Sequence, residues 1–205
     1  MNSYPFDTTA MTGDIIDRLD NTYQILRSKF NAEPTGNIDF KLADFETFRS
    51  YCGFALRGSF VIKMPQNSSY VLFTECEYAS TGGRGDRGVT DYQIWGLAYL
   101  KQNFGRVLIR RETLADKLIE LVMPVEIDFA DDKAFSDTFY VIANDVQKAA
   151  LAMNRNFRNA VMDIRHEDFI IEIYDHTLII GSKKPVSPEH SVYIAEFVTR
   201  ISSIC

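Results

Sequence analysis

VTDYQIWGLAYL, Val89–Leu100, is the stretch on which the fold turns. Tyr92, Ile94, Gly96, Ala98 and Leu100 fall on one side of an extended chain, and Asp91, Gln93, Trp95, Leu97 and Tyr99 on the other. A period of two is strand patterning. The eight residues before it, TGGRGDRG (Thr81–Gly88), spell G-R-G-D-R-G from Gly83 and match the G-x-G-x-x-G fingerprint of dinucleotide-binding proteins. That fingerprint works when a strand feeds a glycine turn straight into a helix whose N-terminus holds the pyrophosphate. A strand does precede the glycines, YVLFTECEY (Tyr70–Tyr78), but a second strand follows them. The region Asn103–Leu108, where a ribose-binding acid is due, holds no carboxylate. The glycines therefore predict a hairpin tip with positive φ, and no cofactor. Arg84 and Arg87, with Asp86 between them, are the candidates for holding a ligand or partner there, the arginines by pairing an anionic group.

Outward from this point the pattern alternates between the two periods. Ile15, Leu19, Ile25 or Leu26, and Phe30 recur at helical spacing, with Thr12 or Asp14 as cap. Pro34 and Gly36 break that helix. LADFETFRSYC predicts a second helix with Leu42, Phe45, Phe48 and Cys52 on one face. SFVIKM, YVLFTECEY, DYQIWGLAYL and GRVLIRRE then read as four strands joined by connectors too short for crossover helices, hence an antiparallel meander. ETLADKLIEL reads as a helix, PVEIDF and DTFYVIAND as strands, DVQKAALAM and FRNAVMDIR as helices. DFIIEIYD and HTLIIGSKK form a hairpin about Asp175-His176, and the chain closes in a helix opened by Ser187-Pro188-Glu189. The class is α+β: antiparallel sheet flanked by N- and C-terminal helices, in one domain over residues 1–205, with a segment 1–37 that could pack as a helical unit on a body 38–205.

The bulk numbers exclude several functions. A net charge of −6 over 205 residues speaks against a phosphate-neutralising surface, so no nucleic-acid partner is expected. No run of about 18 apolar residues appears, so no membrane span is expected. The N-terminal stretch has neither the basic nor the apolar region of a signal peptide. Three dispersed cysteines form no metal or disulfide pattern and suit a reducing, cytoplasmic setting. Cys52 and Cys76 are expected in the core and Cys205 at the surface. His166, His176 and His190 lie at turn or surface positions without metal-ligand spacing. Carboxylates cluster at Glu75/Glu77, Asp128/Asp131/Asp132 and Glu167/Asp168, where solvated faces are the ordinary reading. Serine-nucleophile and phosphate-loop signatures are absent.

Phe135, Phe139, Val141, Asp145 and Ala149 occur in the order F-x-x-x-F-x-V-x-x-x-D-x-x-x-A, followed by a helix carrying Phe157 and the strand pair Ile171–Ile180. This pattern resembles the C-terminal part of a family of uncharacterised bacterial proteins, with WGLAYLKQNFGRVLIRRE matching its preceding strands more loosely. The resemblance spans about half the chain and implies a bacterial origin and a packing core; it assigns no catalytic residue. Members often carry membrane segments before this region, and this chain shows none. The expectation is a soluble, non-catalytic module that binds a protein, a ligand or itself. The alternative is a hydrolase or transferase using carboxylates with Arg84 or Arg87 near the 81–88 loop.

Overall fold

The computed structural model describes residues 4–65, 67–79, 89–111 and 125–205. Within them the chain forms helix α1 (Gly13–Phe30), strand β1 (Glu33–Pro34), a 3-10 turn at Leu42–Asp44, helix α2 (Glu46–Arg49), and strands β2 (Gly53–Lys63), β3 (Ser68–Tyr78), β4 (Val89–Tyr99), β5 (Arg106–Arg111) and β6 (Val125–Glu126). Helix α3 (Lys133–Ser136), β7 (Phe139–Ala143), α4 (Val146–Ala152), α5 (Arg155–Asp163), β8 (Ile170–Tyr174), β9 (Thr177–Gly181) and α6 (Pro188–Ile204) complete it. The strands make one antiparallel sheet in the order β1-β2-β3-β4-β9-β8-β5-β7-β6, the α+β architecture that the alternating periods predict.

The register explains the alternation in Val89–Leu100. One row across the sheet runs Phe60, Val71, Gly96, Ile180, Ile171, Ile109, Val141. All of these face the main core, which α1, α5 and α6 cover with Leu19, Leu26, Phe157, Val161, Ile194 and Val198. Gly96 sits where α6 crosses: a Cβ there would stand 2.6 Å from both Ile194 Cγ2 and Val198 Cγ1. The next row, on the opposite face, runs Tyr70, Leu97, Ile179, Glu172, Leu108, Ile142. The 40–51 segment covers part of that face with Phe40, Leu42, Phe45, Phe48 and Tyr51, packed on Leu72, Trp95, Leu97 and Ile179.

Several local expectations are corrected. The fourth strand does not continue the meander: β5 pairs with β8 and β7, and the β8–β9 hairpin stands between β4 and β5. The 42–52 helix is two short turns broken at Phe45, whose φ of −90° and ψ of 129° are extended. Glu33–Pro34, read as a break, is a short edge strand. Thr12 takes the N-cap position of α1, yet no side chain caps it, and Thr22 and Tyr23 share the buried stripe with Leu19 and Leu26. Cys52 is exposed and Cys205 is buried, the reverse of the expectation, while Cys76 is buried as expected. The ETLADKLIEL helix lies outside the described residues.

The sheet edge at β1 and β2 is blunted. β1 is two residues long and carries Pro34, and the N–H of Asp7 donates to the Arg57 carbonyl at 2.7 Å further along the same edge. A bulge between Leu56 and Gly58 leaves Arg57 out of register, with its guanidinium held by Asp7 at 2.5 Å and Glu75 at 2.8 Å. Short, bulged, proline-bearing edges resist pairing with a further strand.

Candidate functional site

The hairpin tip that the glycines predict lies outside the described residues. Tyr78, the last residue of β3, pairs with Val89, the first of β4, so the two flanking strands are antiparallel neighbours. Arg84, Asp86 and Arg87 lie outside the described residues. Of the carboxylates at the base of that hairpin, Glu75 is engaged by Arg57.

The other acidic clusters serve the fold. Asp131 and Asp132 hold the buried Arg158 guanidinium at 2.6 and 3.0 Å, and Asp132 also accepts from the N–H of Phe135 to open α3. Arg158 additionally donates to the Met153 carbonyl and lies over the Phe129 ring. Asp168 pairs with Lys184 at 3.0 Å. The positions of the bacterial-family pattern are packing positions too: Phe135, Phe139, Val141, Ala149 and Phe157 are buried, and Asp145 caps α4 by accepting from the N–H of Lys148.

Two further polar sites lie outside the residues that the sequence singled out. Gln93, buried, accepts from Tyr51 Oη at 3.0 Å and Trp95 Nε1 at 3.1 Å, and donates to Tyr78 Oη at 2.5 Å. Burial pushes the Tyr51 phenol and the Cys76 thiol up, the latter to about 11. Glu172, buried in an apolar row, accepts from the N–H groups of Glu46 and Thr47 at 2.8 and 2.9 Å. Burial raises its carboxyl above the ordinary range, opposed by those two amides and the Arg106 charge. The only sequence signal was one acid among four apolar strand residues in IIEIY.

Among the described residues, a cleft of about 470 Å³ lies open at one end of the sheet. Its floor is the last row of the second face, Tyr99, Thr177 and Tyr174, which pair in register across β4, β9 and β8. Its wall is Asp39–Phe45, and its lip is the Asp175-His176 turn. The strand order creates it. Because β8–β9 is inserted between β4 and β5, the 100–105 connection must pass around the hairpin tip. Leu100 N–H donates to the His176 carbonyl at 2.7 Å, Phe104 N–H to the Asp175 carbonyl at 2.9 Å, and Asp175 N–H to the Gly105 carbonyl at 2.7 Å. These bonds fix a turn in which Asp175 takes a left-handed φ of 52°. Arg106, next in the floor row, ties the wall down: it donates to Glu46 Oε1 at 2.9 Å and the Asp44 carbonyl at 3.1 Å, and lies 4.5 Å from the Tyr174 ring centroid. Burial first, then the neighbouring Tyr70 and the Asp39 carboxylate, push the Tyr99 phenol up.

Among the described residues, the depressions beside α1 and beside the β2 bulge are less suited. One lies along the end of α1 and Asn31–Pro34, and draws on one continuous stretch of chain. The other flanks the β2 bulge, where Asp7 and Arg57 already neutralise each other.

Among the described residues no group of His, Cys, Asp and Glu has metal-binding geometry, and no helix is long and apolar enough to cross a membrane. No family model and no curated protein matches the chain. Among solved structures, the crystal structure of the mycobacterial trehalose monomycolate transport factor A, TtfA, is similar in fold, with a TM-score of 0.58 at 8% identity over 94% of each chain.

Proposed function

We propose that the chain is a non-catalytic binding module of the bacterial cytoplasm whose working surface is the cleft between Asp39–Phe45 and Tyr174–Thr177. The observation that carries this reading is the floor of that cleft. Tyr99 and Tyr174 are half-buried aromatic rings brought together from distant strands. Concave sites with apolar walls and a few convergent polar groups are the usual form of a binding site. The buried polar groups elsewhere, Gln93, Glu172 and Arg158, are spent on structural bonds. The fold shared with a transport factor fits a role in binding. A carboxylate–arginine enzyme at the 81–88 loop is the weaker reading, since Glu75 is already taken by Arg57. An amide-resolved NMR screen with small aromatic and charged fragments tests the proposal. Shifts confined to Tyr99, Tyr174, Asp175 and His176, abolished by filling the cleft with Thr177→Phe, are expected; shifts centred elsewhere overturn it.

A further inference from the structure

We infer that the cleft takes a planar, donor-rich cation: the guanidinium of an arginine presented by a protein partner. This rests on the cleft being the working surface and names its ligand. Three lines of chemistry converge. First, the lining carries the carboxylates of Asp39, Asp44 and Asp175 against the single ammonium of Lys41. The chain as a whole carries −6, so a cation is drawn toward this surface at long range as well as held in it.

Second, the lip holds acceptors in fixed places. His176 Nδ1 lies 3.1 Å from the Leu100 carbonyl, which can only accept, so Nδ1 donates there and the ring is held at the lip beside Asp175. A cationic ligand meeting this lip finds the carboxylates of Asp39, Asp44 and Asp175 as acceptors, beside the ammonium of Lys41 and the hydroxyls of Tyr99, Tyr174 and Thr177. Asp39 spends one oxygen on the N–H of Lys41 and keeps the other. A guanidinium offers five N–H donors in one plane, more than an ammonium or an amide can direct at spread acceptors.

Third, the molecule already holds one guanidinium on this row. Arg106 lies over the Tyr174 ring while donating to a carbonyl and a carboxylate of the cleft wall. Tyr99, two strands away in the same row, offers a ring beside Asp39 without an arginine of its own among the ring–cation pairs of the described residues. A second arginine entering from outside repeats at Tyr99 the arrangement that Arg106 makes at Tyr174. Planar cations favour aromatic faces over other apolar surface.

The test is a titration of the full chain, followed by amide and side-chain NMR, with the capped peptide Gly-Gly-Arg-Gly-Gly and its citrulline counterpart, which keeps the shape and loses the charge. Benzamidine and benzoate serve as small-molecule arms. The expected result is that the arginine peptide shifts Tyr99, Tyr174 and His176, that citrulline binds at least ~10-fold more weakly, and that Asp39→Asn with Asp175→Asn weakens the arginine peptide by a similar factor. Asparagine keeps the acceptor of residue 39 and tolerates the left-handed backbone of residue 175, so the doubly substituted chain folds; added salt, which weakens the contact in the unaltered chain, is the independent check. If citrulline or benzoate shifts the same residues as strongly as arginine, the cation inference falls and the cleft reading stands. If benzamidine binds at the cleft and the peptide does not, the protein partner falls. If no probe shifts the cleft residues, both readings fall.

Discussion

Thr47 donates its backbone N–H to the buried carboxylate of Glu172 at 2.9 Å, across 125 residues of chain. With the N–H of Glu46 on the other oxygen, the pair pins the start of α2 to the centre of the sheet. Replacing Glu172 with Gln keeps one acceptor and turns an amide N–H₂ toward the other donor. The expected loss is about 1–3 kcal/mol, measured by urea unfolding, because one buried N–H is left facing a donor. Glu172→Asp, too short to reach both amides, is expected to lose as much.

Gly96 makes room for α6. Gly96→Ala places a methyl against Ile194 and Val198 in a packed core. Overpacking of this kind costs about 1–3 kcal/mol. Adding Val198→Ala to Gly96→Ala is expected to recover part of that loss, whereas Val198→Ala alone destabilises. A double-mutant cycle of unfolding free energies reads the coupling directly.

Stability is expected to depend on pH through His190. Its Nε2 lies 3.0 Å from Ser182 Oγ, which also accepts from the N–H of Lys184. Burial, with Lys184 acting the same way, lowers the imidazole below its ordinary 6.5; Glu167 and Asp168 oppose this. The folded state thus binds fewer protons than the unfolded chain, and stability is lost as pH falls below 6.5 toward the depressed value. Unfolding midpoints at pH 7.5 and pH 5 should show a smaller difference in His190→Gln than in the unaltered chain.

Arg158→Met tests the knot between α5 and the 129–135 segment. The guanidinium is buried, but Asp131 is 72% exposed in its side chain and is rehydrated easily once unpaired. The cost therefore comes mainly from the unpaired Met153 carbonyl and the less exposed Asp132, about 1–3 kcal/mol by thermal unfolding. Arg158→Lys should recover little, because one ammonium cannot span Asp131, Asp132 and Met153 together.

The three thiols should separate by reactivity. Burial pushes Cys76 and Cys205 each up to about 11, whereas Cys52 is exposed. A disulfide reagent at pH 8 is expected to modify one thiol per native chain quickly and all three in denaturant. Cys52→Ser should remove the fast phase, and its survival would show that the C-terminal turn opens.

Residues 89–99 were legible as a strand, because a short, aromatic-rich apolar run bounded by glycine- and asparagine-bearing connectors suits a strand buried on both faces. The same holds for α1, for the capped α6, where Ser187 accepts from the N–H of His190, and for the hairpin about Asp175-His176. These are properties of neighbours in sequence, and local period and capping chemistry record them. The strand that follows the glycines, β4, was legible in the same way.

The strand order was decided elsewhere. Nothing in the period of β5 says that β9 and β8 will lie between it and β4, since each edge of a strand offers the same amides and carbonyls to any partner in register. That choice depends on which rows of side chains meet under α6 and α5, a property of the whole core. Upon it rest the wrapping of 100–105 around the hairpin tip, the anchoring of α2 by Glu172, and the joining of Asp39, Tyr99 and His176 in one cleft. The exchange of places between Cys52 and Cys205 has the same origin. Burial follows from what packs over a residue, and for both cysteines that is set by distant chain.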